Sequence, residues 1–126
     1  MEIKFFKCKK CGKVIALLNS ANTPSVCCGE EMSLLKAGAT DGAVEKHVPV
    51  ASVSGNKVEV TVGSVLHPME EIHFIEWIGI VDSEGFRVKT LKAGEAPKAS
   101  FTVGNPEENF EVYAYCNLHG LWSAKK

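Results

Sequence analysis

The chain has 126 residues, 14 Lys+Arg against 15 Asp+Glu, a formal net charge of -1, 45% hydrophobic residues and 23% charged ones. That balance is ordinary for a globular chain and gives no sign of the basic surface of a nucleic-acid binder or a membrane-surface protein. No apolar run approaches the ~18 residues that span a bilayer, and only Phe5-Phe6-Lys7 separates Met1-Glu2-Ile3-Lys4 from the first cysteine, too little for a signal peptide. A cytoplasmic location is expected, where cysteines serve metals or catalysis more often than disulfides.

Residues 1–36 carry Cys8, Cys11, Cys27 and Cys28. A module this short, below the ~40 residues at which burial alone begins to suffice, needs a staple. "CKKC" followed by "CC" supplies four thiolates, enough for one tetrahedral iron or zinc ion. The adjacent pair is unusual, because one peptide unit must aim both sulfurs at the same ion. Ligand type alone leaves iron and zinc open, and a redox C-x-x-C or disulfides are the competing readings.

"KAGATDGA" at 36–43 is small and polar, and residues 37–44 read as a linker. From residue 45 onward the pattern is that of strands. His47 opens "HVPV", and "SGN" at 54–56 signals a hairpin before "KVEVTV", where Val58, Val60 and Val62 alternate with polar residues. "IHFIEWIGIV" at 72–81 predicts a central strand, with His73, Ile75 and Trp77 sharing a face. "DSEG", "FRVKTL", "KASFTV", "GNPEEN" and "FEVYAYC" continue the alternation of turns and strands to Cys116. Short strands at this spacing predict a mainly β chain: a small metal-stapled N-terminal module, then an Ig-like antiparallel β-sandwich over 45–126.

The remaining cysteine, Cys116, and all four histidines lie in this second part, His47, His67, His73 and His119 each at a predicted strand end or turn. Any one histidine is weak evidence, since a lone imidazole is more often a packed or surface group. Together with Cys116 they make five donors, too many for ordinary tetrahedral zinc and suited to six-coordinate iron with an open position.

In this order, "EKHVPV" (45–50), "HPMEEIH" (67–73) and "CNLHGLW" (116–122) resemble the iron site of superoxide reductases. The preceding "CKKC…CC" module resembles the desulforedoxin-like domain of the two-iron class, the desulfoferrodoxins. The resemblance covers nearly the whole chain. It implies that His47, His67, His73 and His119 are equatorial ligands of a ferrous ion and Cys116 its axial thiolate. It also implies a second iron on Cys8, Cys11, Cys27 and Cys28, hence two irons per chain. Glu45 and Lys46 match the pair that flanks the open sixth position in the family. Two positions depart from the family pattern: Ala114, where some relatives carry an acidic residue, and Ile72, where lysine is common.

The activity implied is one-electron reduction of superoxide to hydrogen peroxide, with re-reduction by a rubredoxin-like donor; a homodimer is expected. Lys46 would attract the anion and order a proton source, and Glu45 would bind the oxidised ion once peroxide leaves. Backbone N–H groups of the turn after Cys116 would temper the thiolate. Two alternatives remain at this point: an iron electron-transfer protein without turnover, and a zinc-stabilised interaction module with structural histidines.

Overall fold

The computed structural model describes residues 2–126, which fall into two compact units, Glu2–Lys36 and Ala37–Lys126. In the first, β1 (Lys4–Lys7) lies between β2 (Val14–Leu17) and β5 (Ser33–Leu34) in a three-stranded antiparallel sheet. A separate two-stranded hairpin joins β3 (Val26–Cys27) to β4 (Glu30–Glu31). Its apolar burial is slight: Ile3, Phe5, Cys8 and Met32 are the buried apolar residues.

The second unit is an antiparallel sandwich. One sheet runs β10-β7-β6, from β6 (Pro49–Ser54), β7 (Lys57–Val62) and β10 (Lys98–Thr102). The other runs β12-β11-β8-β9, from β8 (Ile75–Asp82), β9 (Gly85–Thr90), β11 (Glu111–Cys116) and β12 (Gly120–Lys125). Alternation decides which side chains point inward. Val58, Val60 and Val62 of β7 and Ala99 and Phe101 of β10 meet Ile78 and Ile80 of β8 and Val112 and Ala114 of β11 in one core. Cys116, the last residue of β11, belongs to that core and is fully buried. The mainly β architecture and Ig-like layering read from the sequence are those observed.

Four local features differ from the sequence reading, each for a physical reason. His47 does not open a strand. It closes a single helical turn, α1 (Val44–His47), in which Val48 N–H donates to the Val44 carbonyl at 3.0 Å. Pro49 stops the turn, because the residue before a proline is held extended, and Val48 has φ -69° and ψ 119°. Residues 37–44 group with the second unit, and Gly38 N–H donates to the Leu121 carbonyl at 2.8 Å.

His73, Ile75 and Trp77 do not share a strand face. β8 begins only at Ile75, and its register against β11 shifts between Tyr115 opposite Trp77 and Cys116 opposite Ile75. This bulge skips Glu76 and returns Ile75 to the core side beside Ile78 and Ile80, while Trp77 stacks on Tyr115 at 5.8 Å. The fourth feature is β12, which follows the His119 turn at Gly120, where φ is +78°.

Candidate metal centres

In the first unit, the sulfurs of Cys8, Cys11, Cys27 and Cys28 gather with their atoms within 4.8 Å of one another. Two turns bring them there. After Cys8, Gly12 N–H donates to the Cys8 carbonyl and Cys8 N–H to the Lys13 carbonyl, both at 2.9 Å, with Gly12 at φ +82°. The adjacent pair is solved by the β3–β4 hairpin. Cys28 and Gly29 are its two central residues, with φ +54° and +75°, the conformation a two-residue primed turn requires. The left-handed backbone at Cys28 turns consecutive side chains toward one point.

Backbone N–H groups, that of Cys11 first, hold the Cys8 thiol down at about 6. The crowding of Cys11, Cys27 and Cys8 pushes Cys28 up to about 12. Cys8 is thus ready as a thiolate, whereas Cys27 and Cys28, both raised by their neighbours, give up their protons readily only to a cation that shares the charge.

The second unit gathers His47, His67, His73, Cys116 and His119, their donor atoms again within 4.8 Å of one another. Each side chain is delivered by a different device: α1 for His47, the loop after β7 for His67, the approach to β8 for His73, and the end of β11 and its turn for Cys116 and His119. Neighbouring rings stand nearly perpendicular. Their centroids are 4.6 Å apart for His47–His67, 4.6 Å for His67–His73, 5.0 Å for His73–His119 and 4.8 Å for His119–His47. The His47–His73 diagonal is 6.4 Å, so the four imidazoles form a near-square.

The tautomers follow from hydrogen bonds. His47 Nδ1 lies 2.7 Å from the Ala43 carbonyl and His67 Nδ1 lies 2.6 Å from the Pro68 carbonyl, so each Nδ1 carries the proton and donates it. Both Nε2 atoms then present lone pairs, yet they lie 3.1 Å apart. His119 presents Nδ1, at 3.1 Å from His47 Nε2 and 3.8 Å from the Cys116 sulfur. Among the described residues, His73 Nε2 is buried with no hydrogen-bond partner. Lone pairs pointed at one another, with an orphaned ring nitrogen beside them, are what a cation would reconcile. The donor set therefore fits a metal ion.

The electrostatics favour the neutral form of His47, His67 and His73. Burial lowers the pKa of His47, takes His67 down to about 4 and lowers His73, with the neighbouring imidazoles adding to each shift. Burial raises the Cys116 thiol, opposed by hydrogen bonds from the backbone N–H groups of His119 and Leu118. These are the donors expected of the turn after Cys116. Glu45 and Lys46 are both exposed, on the helical turn that carries His47. The Glu45 charge reaches His47 and the Lys46 charge reaches His73.

Other residues support the site, and of these the sequence marks only Trp122, as a shield for the Cys116/His119 edge. Trp122 stacks on His47 at 4.9 Å and its indole N–H donates to the His119 carbonyl at 3.0 Å. Gly42 lies against the same pair: a Cβ there would sit 3.2 Å from His47 Cε1 and 3.4 Å from His119 Cβ. At Gly63 a Cβ would come within 2.7 Å of the Glu45 carbonyl, so only glycine lets α1 seat this closely. Asn117, between two of the gathered residues, bonds to the residues on either side of His73. The sequence signal for Asn117 was its place inside "CNLHG"; no periodicity marks the glycines.

The desulfoferrodoxin family model matches residues 39–125, and the model of its N-terminal domain matches residues 1–35. The chain belongs to the desulfoferrodoxin family. Each family domain carries one of the two gathered donor groups. A desulfoferrodoxin homolog of Archaeoglobus fulgidus is 46% identical over 97% of this chain and 96% of its own. The desulfoferrodoxin of Nitratidesulfovibrio vulgaris is 46% identical over 98% and 97%. Among solved structures, the superoxide reductase from Treponema pallidum superposes with a TM-score of 0.79 at 34% identity, covering 98% of this chain and 97% of that one. No helix in the described residues is long and apolar enough to cross a membrane.

Proposed function

We propose that the protein is a superoxide reductase, with iron held by His47, His67, His73, His119 and Cys116 and a second iron held by Cys8, Cys11, Cys27 and Cys28. The observation that carries the reading is the near-square of four imidazoles with a thiolate as fifth donor. Zinc favours four tetrahedral ligands, whereas six-coordinate iron accepts this set and keeps one position free for a small anion. A ferrous ion there supplies the single electron that, with superoxide and two protons, gives hydrogen peroxide.

The chain's own residues supply the rest. Lys46, exposed at the edge of the square, raises the local concentration of an anionic substrate and holds the water that delivers protons. Glu45, one residue earlier, offers a carboxylate to the more charged oxidised ion. The Leu118 and His119 N–H groups draw charge from the Cys116 sulfur and so would temper the electron density it donates to a bound metal. Burial of His47 and His67 keeps two donors neutral at ordinary pH. Re-reduction falls to a rubredoxin-like donor in the cytoplasm.

The test is stopped-flow mixing of the reduced, iron-loaded protein with superoxide. Consumption should be bimolecular and yield peroxide without dioxygen, and Lys46→Ala should slow it and flatten its salt dependence. Oxidation should produce a thiolate-to-ferric absorption band that Cys116→Ser removes. Two zinc ions per chain, or superoxide decay no faster than its spontaneous rate, would overturn the reading.

A further inference from the structure

We propose that Asn117 is a positioning residue that fixes His73 relative to Cys116 and His119, and so determines how firmly the fourth imidazole joins the metal centre. The inference rests on the metal-centre reading above.

The four imidazoles are not held alike. His47 and His67 each donate Nδ1–H to a carbonyl, from Ala43 and Pro68, and the peptide of His119 is held through its carbonyl by the Trp122 indole. Among the described residues, His73 has no such carbonyl for its ring, and its Nε2 is without a partner. It is also more open to solvent than His47 or His67, and Ile72 before it is 77% exposed. The ring position must therefore come from the backbone that carries it. One tie is the local bridge with Glu70, whose two N–H···O bonds are both 3.0 Å.

The other tie is Asn117. Its side-chain Oδ1 accepts from Phe74 N–H at 3.0 Å, its Nδ2 donates to the Ile72 carbonyl at 3.1 Å, and its own N–H donates to the Phe74 carbonyl at 3.2 Å. The partners fix which end of the amide is which, since an N–H must meet the oxygen and a carbonyl the nitrogen. Both neighbours of His73 are thus clamped to the residue that follows Cys116 and precedes His119 by two. The bulge at Glu76 starts just beyond this clamp, so regular β8–β11 pairing does not carry the register back to His73.

Only a primary amide makes both side-chain bonds at once. Asn117→Asp keeps the acceptor and loses the donor, and Asn117→Ala loses both. Residues that orient metal ligands typically change metal affinity about 10–100-fold when removed.

The experiment follows release of iron from the full-length, iron-loaded protein to a chelator, read as decay of the ferric-thiolate band. Asn117→Ala should accelerate release about 10–100-fold, with Asn117→Asp in between. In a His73→Ala background the same substitutions should change release less than about twofold, because the residue they act through is gone. A general loosening of the fold would act in both backgrounds. Equal acceleration with and without His73, or none in either, would overturn the role of Asn117. Should the alanine variant fail to fold, the aspartate variant carries the same cycle. Absence of a thiolate band from the unaltered protein would instead overturn the metal-centre reading, and this inference with it.

Discussion

The two units solve the same chemical problem, holding donors close together, in opposite ways. In residues 2–36 only Cys8 of the four cysteines is buried, Cys27 is half-buried and Cys11 and Cys28 are exposed, and few apolar side chains are buried beside them. In residues 37–126 the donors lie at the end of a continuous apolar core: His47 is 2% exposed, His67 3% and Cys116 0%. With so little apolar burial, the first set needs a bound metal to hold its turns together, so the site makes the fold. The second set is placed by strands, turns and backbone bonds that need no metal, so the fold makes the site. Metal binding should contribute to stability in the first unit and to reactivity in the second.

The sharpest way to break that contrast is to remove the metals. Structural zinc in small modules supplies an apparent ~10–16 kcal/mol, far beyond what the few buried side chains of the first unit offer. Chelation of the full chain should therefore abolish amide-exchange protection in β1 and β2 while leaving β7, β8 and β11 protected. Protection lost together in both units would show that the sandwich also depends on its metal.

The next test concerns the histidines. Burial lowers the pKa of His47, His67 and His73, to about 4 at His67 from an ordinary 6.5. Between those values the unfolded chain binds protons that the folded one refuses, so stability rises with pH across the window. It is fully present above about 6.5 and declines as pH falls toward about 4. Urea unfolding of the apoprotein, followed by the sandwich signal, should show a lower midpoint at pH 5 than at pH 7. His67→Gln should shrink the difference. An equal drop with His67 replaced would assign the acid sensitivity elsewhere.

Spacing made much of this legible. Period-two alternation in "KVEVTV" marked β7, and the clustering of cysteines before residue 30 and histidines after residue 40 separated the two donor groups. What escaped were effects of tertiary context. A four-residue helical turn before Pro49 has too little sequence to show a period. The bulge at Glu76 changes which residues share a face without altering composition. β12 lies past the last turn signal, and the demand for glycine at positions 42 and 63 arises only from atoms brought near by folding. Asn117 belongs to the same class, since its partners lie more than forty residues earlier.

The smallest expected effect sharpens the comparison from the end of the sandwich away from the site. Asp82 closes β8, about seven strand residues, or roughly 23 Å, from Ile75. Its carboxylate is 5% exposed and pairs with both terminal nitrogens of Arg87 at 2.9 and 2.8 Å; it also accepts Glu84 N–H at 2.9 Å. Arg87 goes on to the Thr102 carbonyl of β10, so the pair ties the two sheets together. Arg87 holds the Asp82 carboxyl below its ordinary value, so its contribution is present above about 4 and lost as pH falls through the lowered value. Asp82→Asn leaves the Arg87 charge without its partner and should cost about 2–3 kcal/mol at pH 7. The gap between variant and parent should narrow in acid. Because the sandwich positions its donors from the other end of β8, the ferric-thiolate band should keep its energy and intensity in this variant. A displaced band would mean that the core transmits strain along the strand, and that the fold and the site of the second unit are not separable.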